Sequence, residues 1–415
     1  MSKKILLVSY LFPPLGGSGS LRPFMIAQSL PQYNWETVVL TIKNPDWYYA
    51  HEPDLLKELP KDTLIFRVSM LRSAWVYRVL NPLRIASCDR VIRSWLMHPD
   101  EQIGWLPFAY KKGKEIIKNN GISILYSSSG PLTSHLVALL LKRRFGITWV
   151  AEFRDEWFDD PALPMPTRMH RKLHFHLEKL IVKEADKIVT LAPAFKDFLS
   201  KHGVAQNKFY TIPVGFDAQA QHKALQKSDY RNRQFTVVYS GLIYDSFPPD
   251  KFLTAVNTLI EEREIPAQEV CIRFVGAISI KEGLNPYKIV ECTGFLQRSK
   301  ALEEEKKADM LLLLLSRERG IGVIPSKIFE YMISAIPILA LVPRGGAAAE
   351  IIEKTKTGTV VDFDDTEDIK RTFLKLYHLW KAGNLQTTPD LDEINKYNQT
   401  VLFAELARIL DGLLC

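Results

Sequence analysis

The sequence predicts an α/β fold built as two doubly wound parallel sheets in tandem. Three observations carry this. Unbroken apolar runs, Met310 to Leu315 and Ile338 to Val342, flank a short helix over Pro325 to Met332. Continuous apolar strands separated by a helix belong to a parallel sheet covered on both faces. Strands and helices then alternate twice along the chain, once before and once after a polar stretch at 218–234. Small-residue turns also follow several strands, at the edge where an open α/β sheet holds its ligands.

The first half, 1–217, opens with a strand at Ile5 to Ser9 and a loop from Tyr10 to Ser20 that carries Phe12-Pro13-Pro14 and Gly16-Gly17-Ser18-Gly19. A helix over Leu21 to Leu30 and a strand over Thr37 to Thr41 follow. Further strands are expected at Ile124 to Ser127, Thr148 to Phe153 and Lys187 to Leu191, with helices at Leu132 to Phe145 and Leu173 to Glu184. The turn Ile212 to Asp217 closes this half. The second half, 218–398, restarts the alternation at Phe235 to Ser240 and continues through Val270 to Val275, the two apolar strands above and Thr359 to Val361. A terminal helix, Val401 to Leu414 within 399–415, is expected to pack back on the first domain, and an inter-domain cleft is expected between the halves.

One region breaks the alternation. Residues 71–112 interleave Arg72, Arg78, Arg84, Arg90, Arg93, Lys111 and Lys112 with Trp75, Trp95 and Trp105. Basic and aromatic groups on helices suit a surface that lies on an anionic membrane; they would also suit single-stranded nucleic acid, or a helical insertion whose tryptophans are core.

Composition narrows the class. The 415 residues are 47% hydrophobic and 24% charged, ordinary for a globular protein of two or three domains. No apolar run approaches the roughly 20 residues of a membrane-spanning helix. The start, Met1-Ser2-Lys3-Lys4-Ile5, runs straight into a strand without a signal-peptide pattern. Cys88, Cys271, Cys292 and Cys415 are widely spaced, as expected of reduced thiols in the cytoplasm. Charge is uneven: 1–215 hold 29 Lys and Arg against 19 Asp and Glu, whereas 216–415 hold 25 against 28. A basic first half points to a polyanionic partner.

Three places carry chemistry. The glycines at 16, 17 and 19 allow a backbone to approach phosphate closely, with the following helix offering free N–H groups and Arg22 behind them. The series is a poor dinucleotide fingerprint, because Arg22 takes the last glycine place and Thr41-Ile42-Lys43, not an acid, ends the second strand. An NAD-dependent oxidoreductase is disfavoured. Glu152-Phe153-Arg154-Asp155-Glu156-Trp157 follows a strand at the crevice edge: Asp155 suits a sugar hydroxyl or a general base and Arg154 a phosphate, unless the cluster pairs internally. Lys327 and Glu330 stand three apart on one helix face, a cation for phosphate and a carboxylate for a ribose diol, or else a surface ion pair.

With these residues assembled, the chain resembles the retaining glycosyltransferases of family 4, which have the GT-B fold of two tandem Rossmann-like domains, over essentially its whole length. The most specific element is Pro325-Ser326-Lys327-Ile328-Phe329-Glu330-Tyr331-Met332 with Pro337-Ile338-Leu339. The loop Phe12 to Gly19, Trp149 to Trp157, Glu184 to Thr190 and Thr211 to Asp217 support it. The branch it is most similar to is bacterial and builds surface polysaccharide or lipopolysaccharide. The resemblance implies a donor site in which Glu330 holds the ribose, Lys327, Ser326 and Pro325 lie near the diphosphate, Gly294, Phe295 and Leu296 meet the base, and Ser240 and Gly241 line a strand end. Gly16, Gly17 and Gly19 would approach the phosphates. Asp155, Arg154 and Lys327 are the expected catalytic residues, and Arg22, Glu152 and Trp157 the expected acceptor contacts. Where the family often has a glutamate eight residues before the ribose-binding one, this chain has Gly322, and Arg317, Arg319 or Arg344 would supply a missing phosphate-binding arginine.

The function so implied is retaining transfer of a sugar from a nucleotide-diphosphate sugar to a lipid-linked or glycan acceptor, in the cytoplasm at the inner face of the plasma membrane. No cofactor, metal or nucleic acid is expected. Two alternatives share the fold: a nucleotide-sugar epimerase, and a catalytically silent partner of a transferase.

Overall fold

The computed structural model describes residues 3–43, 51–71, 97–155, 157, 165–217, 232–241, 249–276, 285–315 and 321–414. The chain divides into two compact units: unit 1 is Met1–Pro213 with Phe403–Cys415, and unit 2 is Val214–Leu402.

In unit 1 the elements run β1 (Lys3–Val8), α1 (Ser18–Ser29), β2 (Trp35–Ile42), β3 (Leu64–Val68), α2 (Leu106–Asn120), β4 (Ile124–Ser128), α3 (Thr133–Phe145), β5 (Thr148–Phe153), α4 (Arg168–Glu184), β6 (Lys187–Thr190), α5 (Pro193–Ser200) and β7 (Phe209–Thr211). The seven strands form one parallel sheet in the order β3-β2-β1-β4-β5-β6-β7. The order reverses at β1, where Leu7 lies between Val39 of β2 and Tyr126 of β4. Loops at such a switch point part to either side and leave a crevice beyond the strand ends. β3 and β7, short and half-buried edge strands, are not among the strands read from sequence. The C-terminal stretch joins unit 1 through Asp411, which accepts from Lys3 Nζ at 2.7 Å and Trp35 Nε1 at 2.9 Å.

Unit 2 continues with β8 (Phe235–Ser240), α6 (Asp250–Glu261), β9 (Val270–Val275), β10 (Val290–Cys292), α7 (Arg298–Glu305), β11 (Met310–Leu314), α8 (Lys327–Met332), β12 (Ile338–Leu341), α9 (Ala347–Thr355), β13 (Gly358–Val361), α10 (Thr366–Lys381) and α11 (Leu391–Asn395); α12 (Gln399–Asp411) ends the chain. Its six strands are also parallel, in the order β10-β9-β8-β11-β12-β13, so its switch point lies between β8 and β11.

The apolar runs in unit 2 face both ways, as the unbroken pattern requires. Met310, Leu312 and Leu314 enter one buried cluster with α6 and α10, while Leu311, Leu313 and Leu315 enter another on the opposite face. That second cluster takes Ile328, Phe329, Tyr331 and Met332 of α8. Each such side chain contributes about 1.5–3 kcal/mol by leaving water. Burial of these four fixes the roll of α8, and Lys327 and Glu330 are left half-buried on its remaining face.

Of the basic and aromatic region, 72–96 lies outside the described residues. Trp105 is fully buried and meets the Tyr10 ring edge-on at 5.5 Å, so this tryptophan is core. Lys112 pairs with Glu115 at 2.9 Å.

Candidate functional site

In unit 1 the glycine loop sits beyond β1 at the switch point. Gly17 caps α1 at φ 84°, a backbone state that glycine enters without strain. Gly16 is buried against Glu52, whose Oε1 would lie 2.6 Å from an added methyl group, and Gly19 leaves room for Leu11. Ser20 is buried beside them, and its Oγ has no hydrogen-bond partner among the described residues.

Here the structure corrects four expectations. Arg22 is 1% exposed and donates from Nε to Glu152 Oε1 at 2.9 Å; its other nitrogens donate to the Pro213 and Ile212 carbonyls. Glu152, fully buried, also accepts from Tyr126 at 2.9 Å and Ser128 at 2.7 Å. Trp157 is buried too, its Nε1 donating to His174 at 2.9 Å. All three are enclosed and already hydrogen-bonded to other described residues. Arg154, expected beside the reaction centre, is likewise buried and donates to the Ser129, Gly19 and Gly130 carbonyls. Its contact with Gly19 has a local cause: Pro23, inside α1, has no N–H to give the carbonyl four residues back. Arg154 supplies that missing donor and pins the glycine loop to the end of β4. Of the cluster's predicted site residues, Asp155 alone is exposed.

In unit 2 the predicted donor residues gather at the switch point. Ser240 and Gly241 end β8, and the Ser240 N–H donates to Tyr331 Oη of α8 at 2.9 Å. Gly241 has φ 128°, and a methyl group there would come within 2.9 Å of Lys327 Nζ. That ammonium lies 3.7 Å from the centre of the Tyr239 ring, a cation–π contact. No hydrogen bond or ion pair to Lys327 Nζ occurs among the described residues. Burial pushes its pKa down to about 7, opposed by the charges of Glu305 and Glu330. Pro325 and Ser326 precede α8, which begins at Lys327 and is only six residues long. Of the two, the Lys327 ammonium carries the larger positive charge at this strand end.

Gly294, Phe295 and Leu296 follow β10. Gly294 bridges to Gly276 with φ 73°, and Phe295 is 60% exposed. Gly276 ends β9 so close to β8 that an added methyl group would sit 2.2 Å from the Gly241 carbonyl oxygen.

Three residues join this site without having been read from sequence. Gly276 had a signal, a glycine directly after an apolar strand. Arg298 begins α7 and its Nη2 donates to Glu330 Oε1 at 2.6 Å. Glu305 ends α7, is 6% exposed, and takes a hydrogen bond from Ser240. Burial, and then the neighbouring Glu330 charge, raises its carboxyl to about 8. Both lie in Arg298-Ser299-Lys300-Ala301-Leu302-Glu303-Glu304-Glu305, a charged run indistinguishable from a solvated helix face.

Of the candidate arginines, Arg317 and Arg319 lie outside the described residues, and Arg344 pairs with Asp368 at 2.6 Å. The chain contains two Asp-x-Asp tripeptides, 362–364 and 390–392. Asp364 pairs with Lys251, and Asp390 caps α11 while pairing with Lys356 at 3.3 Å.

Comparison with known proteins adds the following. Residues 25–215 match the family model described as "Glycosyl transferase 4-like domain", and residues 234–378 the model "Glycosyl transferases group 1". Among solved structures, Anabaena Alr3699/HepE in complex with UDP is 13% identical, with 99% of this chain and 100% of that chain covered and a TM-score of 0.62. Sucrose-phosphate synthase from Thermosynechococcus elongatus is 14% identical over 99% of each chain, TM-score 0.64. The lipopolysaccharide outer core galactosyltransferase WaaB is 13% identical over 99% of each, TM-score 0.59. No curated protein sequence matches the chain.

Proposed function

The chain belongs to the glycosyltransferases of the two-domain GT-B fold, and from that premise we propose that it moves a sugar from a nucleotide-diphosphate sugar to a lipid-linked or glycan acceptor, with retention, in cell-surface polysaccharide biosynthesis. The observation that carries the donor half is Lys327: a half-buried ammonium with no hydrogen-bonding partner among the described residues, beside a glycine, one helical turn from a carboxylate. Its three donors suit the departing diphosphate, and Glu330 suits the ribose diol. Among the structural neighbours, Alr3699/HepE forms complexes with UDP and UDP-glucose and WaaB is a lipopolysaccharide outer core galactosyltransferase, which favours a sugar nucleotide and a surface-glycan acceptor.

Calorimetric titration with UDP, GDP, ADP and NADH tests the donor half. One nucleoside diphosphate binds, and Glu330→Ala weakens it by roughly 10–100-fold, as loss of a hydrogen-bonding charged partner does. Binding of NADH alone returns the oxidoreductase. A second reading, the epimerase, has structural neighbours among UDP-N-acetylglucosamine 2-epimerases; turnover of the sugar nucleotide without an acceptor would favour it. A wild-type protein that binds no nucleotide would favour the silent partner.

The acceptor half is supported by α4. It exposes Met169 (73%), Leu173 (43%) and Phe175 (36%) beside Arg168, Arg171 and Lys172. Met169 and Leu173 are four apart and share a helix face, so apolar and cationic groups meet a bilayer surface together. No helix of the described residues is long and apolar enough to cross a membrane. The double variant Met169→Asp, Leu173→Asp is expected to co-sediment with phosphatidylglycerol vesicles about tenfold less tightly than the wild type, with phosphatidylcholine vesicles as control. Equal binding would remove α4 from the membrane contact.

A further inference from the structure

We propose that Arg298 is the positioning residue for the ribose-binding carboxylate, and that it thereby sets the preference of unit 2 for ribonucleotides. The inference rests on the reading of unit 2 as a nucleoside-diphosphate site and deepens it.

The geometry is specific. Arg298 opens α7 four residues after Gly294, directly downstream of the segment that faces the base. Its Nη2 donates to one oxygen of Glu330, Oε1, at 2.6 Å. No other hydrogen bond or ion pair to Glu330 occurs among the described residues, so Oε2 and the second lone pair of Oε1 remain for the two ribose hydroxyls. A free glutamate has three side-chain torsions; this contact selects one carboxylate orientation before any ligand arrives, and a preorganised acceptor loses less entropy on binding. The contact also joins two elements, α7 and α8, so the base segment and the ribose carboxylate are held in one frame.

Charge gives a second reason. Glu330 and Glu305 act on each other through space, and both act on Lys327. The charged Glu330 carboxylate beside an incoming diphosphate would repel it. Arg298 offsets the charge of Glu330. It thus keeps a ribose-binding carboxylate compatible with an anionic ligand. The pair is partly exposed, 41% and 29%, so its removal leaves folding nearly unchanged. A change in binding is then not a change in stability.

The probes are UDP and 2′-deoxy-UDP, with the GDP and ADP pairs run alongside, on wild type, Arg298→Ala, Arg298→Lys and Glu330→Gln. Wild type is expected to prefer the ribonucleotide by about tenfold or more, the size of one hydrogen bond to a charged group. Arg298→Ala should reduce that preference to about threefold or less and raise the donor KM several-fold, with kcat changed by less than about twofold and the melting temperature within about 2 °C. Arg298→Lys should recover part of the preference, since it restores charge and one donor but not the planar fork. The proposal fails if Glu330→Gln erases the preference while Arg298→Ala keeps it. It also fails if Arg298→Ala tightens binding, which would make the arginine a blocking group, or if kcat alone falls. Absence of any nucleoside diphosphate binding by the wild type is a different failure: it removes the donor-site reading itself.

Discussion

Lys327→Ala is expected to lower kcat/KM for sugar transfer by about 10²–10³-fold, or about 2.7–4 kcal/mol, the size of losing one preorganised donor at a developing charge. The effect is large because of where the ammonium sits. It is half-buried between Gly241 and the face of Tyr239, so its field is less screened than that of a surface lysine. The same burial makes it titrate near neutrality. Its pKa is lowered to about 7, so the charged form is full below that pH and declines above it. Glu305, raised to about 8, is neutral below that pH and adds negative charge beside the diphosphate above it. Both groups act in one direction: donor affinity is greatest below pH 7 and weakens as pH rises to 9. Bound diphosphate favours the protonated lysine, so binding takes up protons near pH 7–8. Donor KM measured from pH 6 to 9, with calorimetry in buffers of different ionisation enthalpy, checks this. Lys327→Arg stays charged throughout and should flatten the part of the profile near pH 7. A flat wild-type profile, or an alanine variant within threefold of wild type, would remove Lys327 from the chemistry.

Arg22→Ala should destabilise unit 1 by about 3–5 kcal/mol, the usual result of leaving one member of a buried ion pair without the other. Arg22 and Glu152 are 1% and 0% exposed at the side chain and 2.9 Å apart. The guanidinium also holds the Ile212 and Pro213 carbonyls, where the chain leaves β7, and lies 5.3 Å from the Phe403 ring. Removing it orphans a carboxylate in a fully enclosed place, along with two carbonyls. Urea unfolding followed through Trp35, Trp105, Trp149 and Trp157, all buried in unit 1, measures the loss. In the double variant Arg22→Ala, Glu152→Ala the cost should be well below the sum of the singles, since the orphaned charge is gone. A single-variant loss under 1 kcal/mol would show that the pair is solvated after all.

The fold class is legible in the linear string, and so is the shared helix face of Lys327 and Glu330. The runs at 310–315 and 338–342 read as strands covered on both faces, and their alternate residues do enter opposite clusters. The spacing of Lys327 and Glu330 placed them on one helix face, and the burial of Ile328, Phe329, Tyr331 and Met332 leaves that face open. These signals are local, with periods of 2 and 3.6 residues, and survive in a linear string. Which charges look outward depends on the packed fold. Arg22 and Glu152 lie 130 residues apart, and the motif around each reads the same whether it meets a ligand or the other. Arg154 likewise became a clamp on Gly19 because Pro23 had removed a donor there. Arg298 and Glu305 came to the donor site from a separate helix, because the strand order sets α7 beside α8. A charge takes its role from its nearest counter-charge and its exposure to water, and both depend on sheet order rather than on neighbours in the chain.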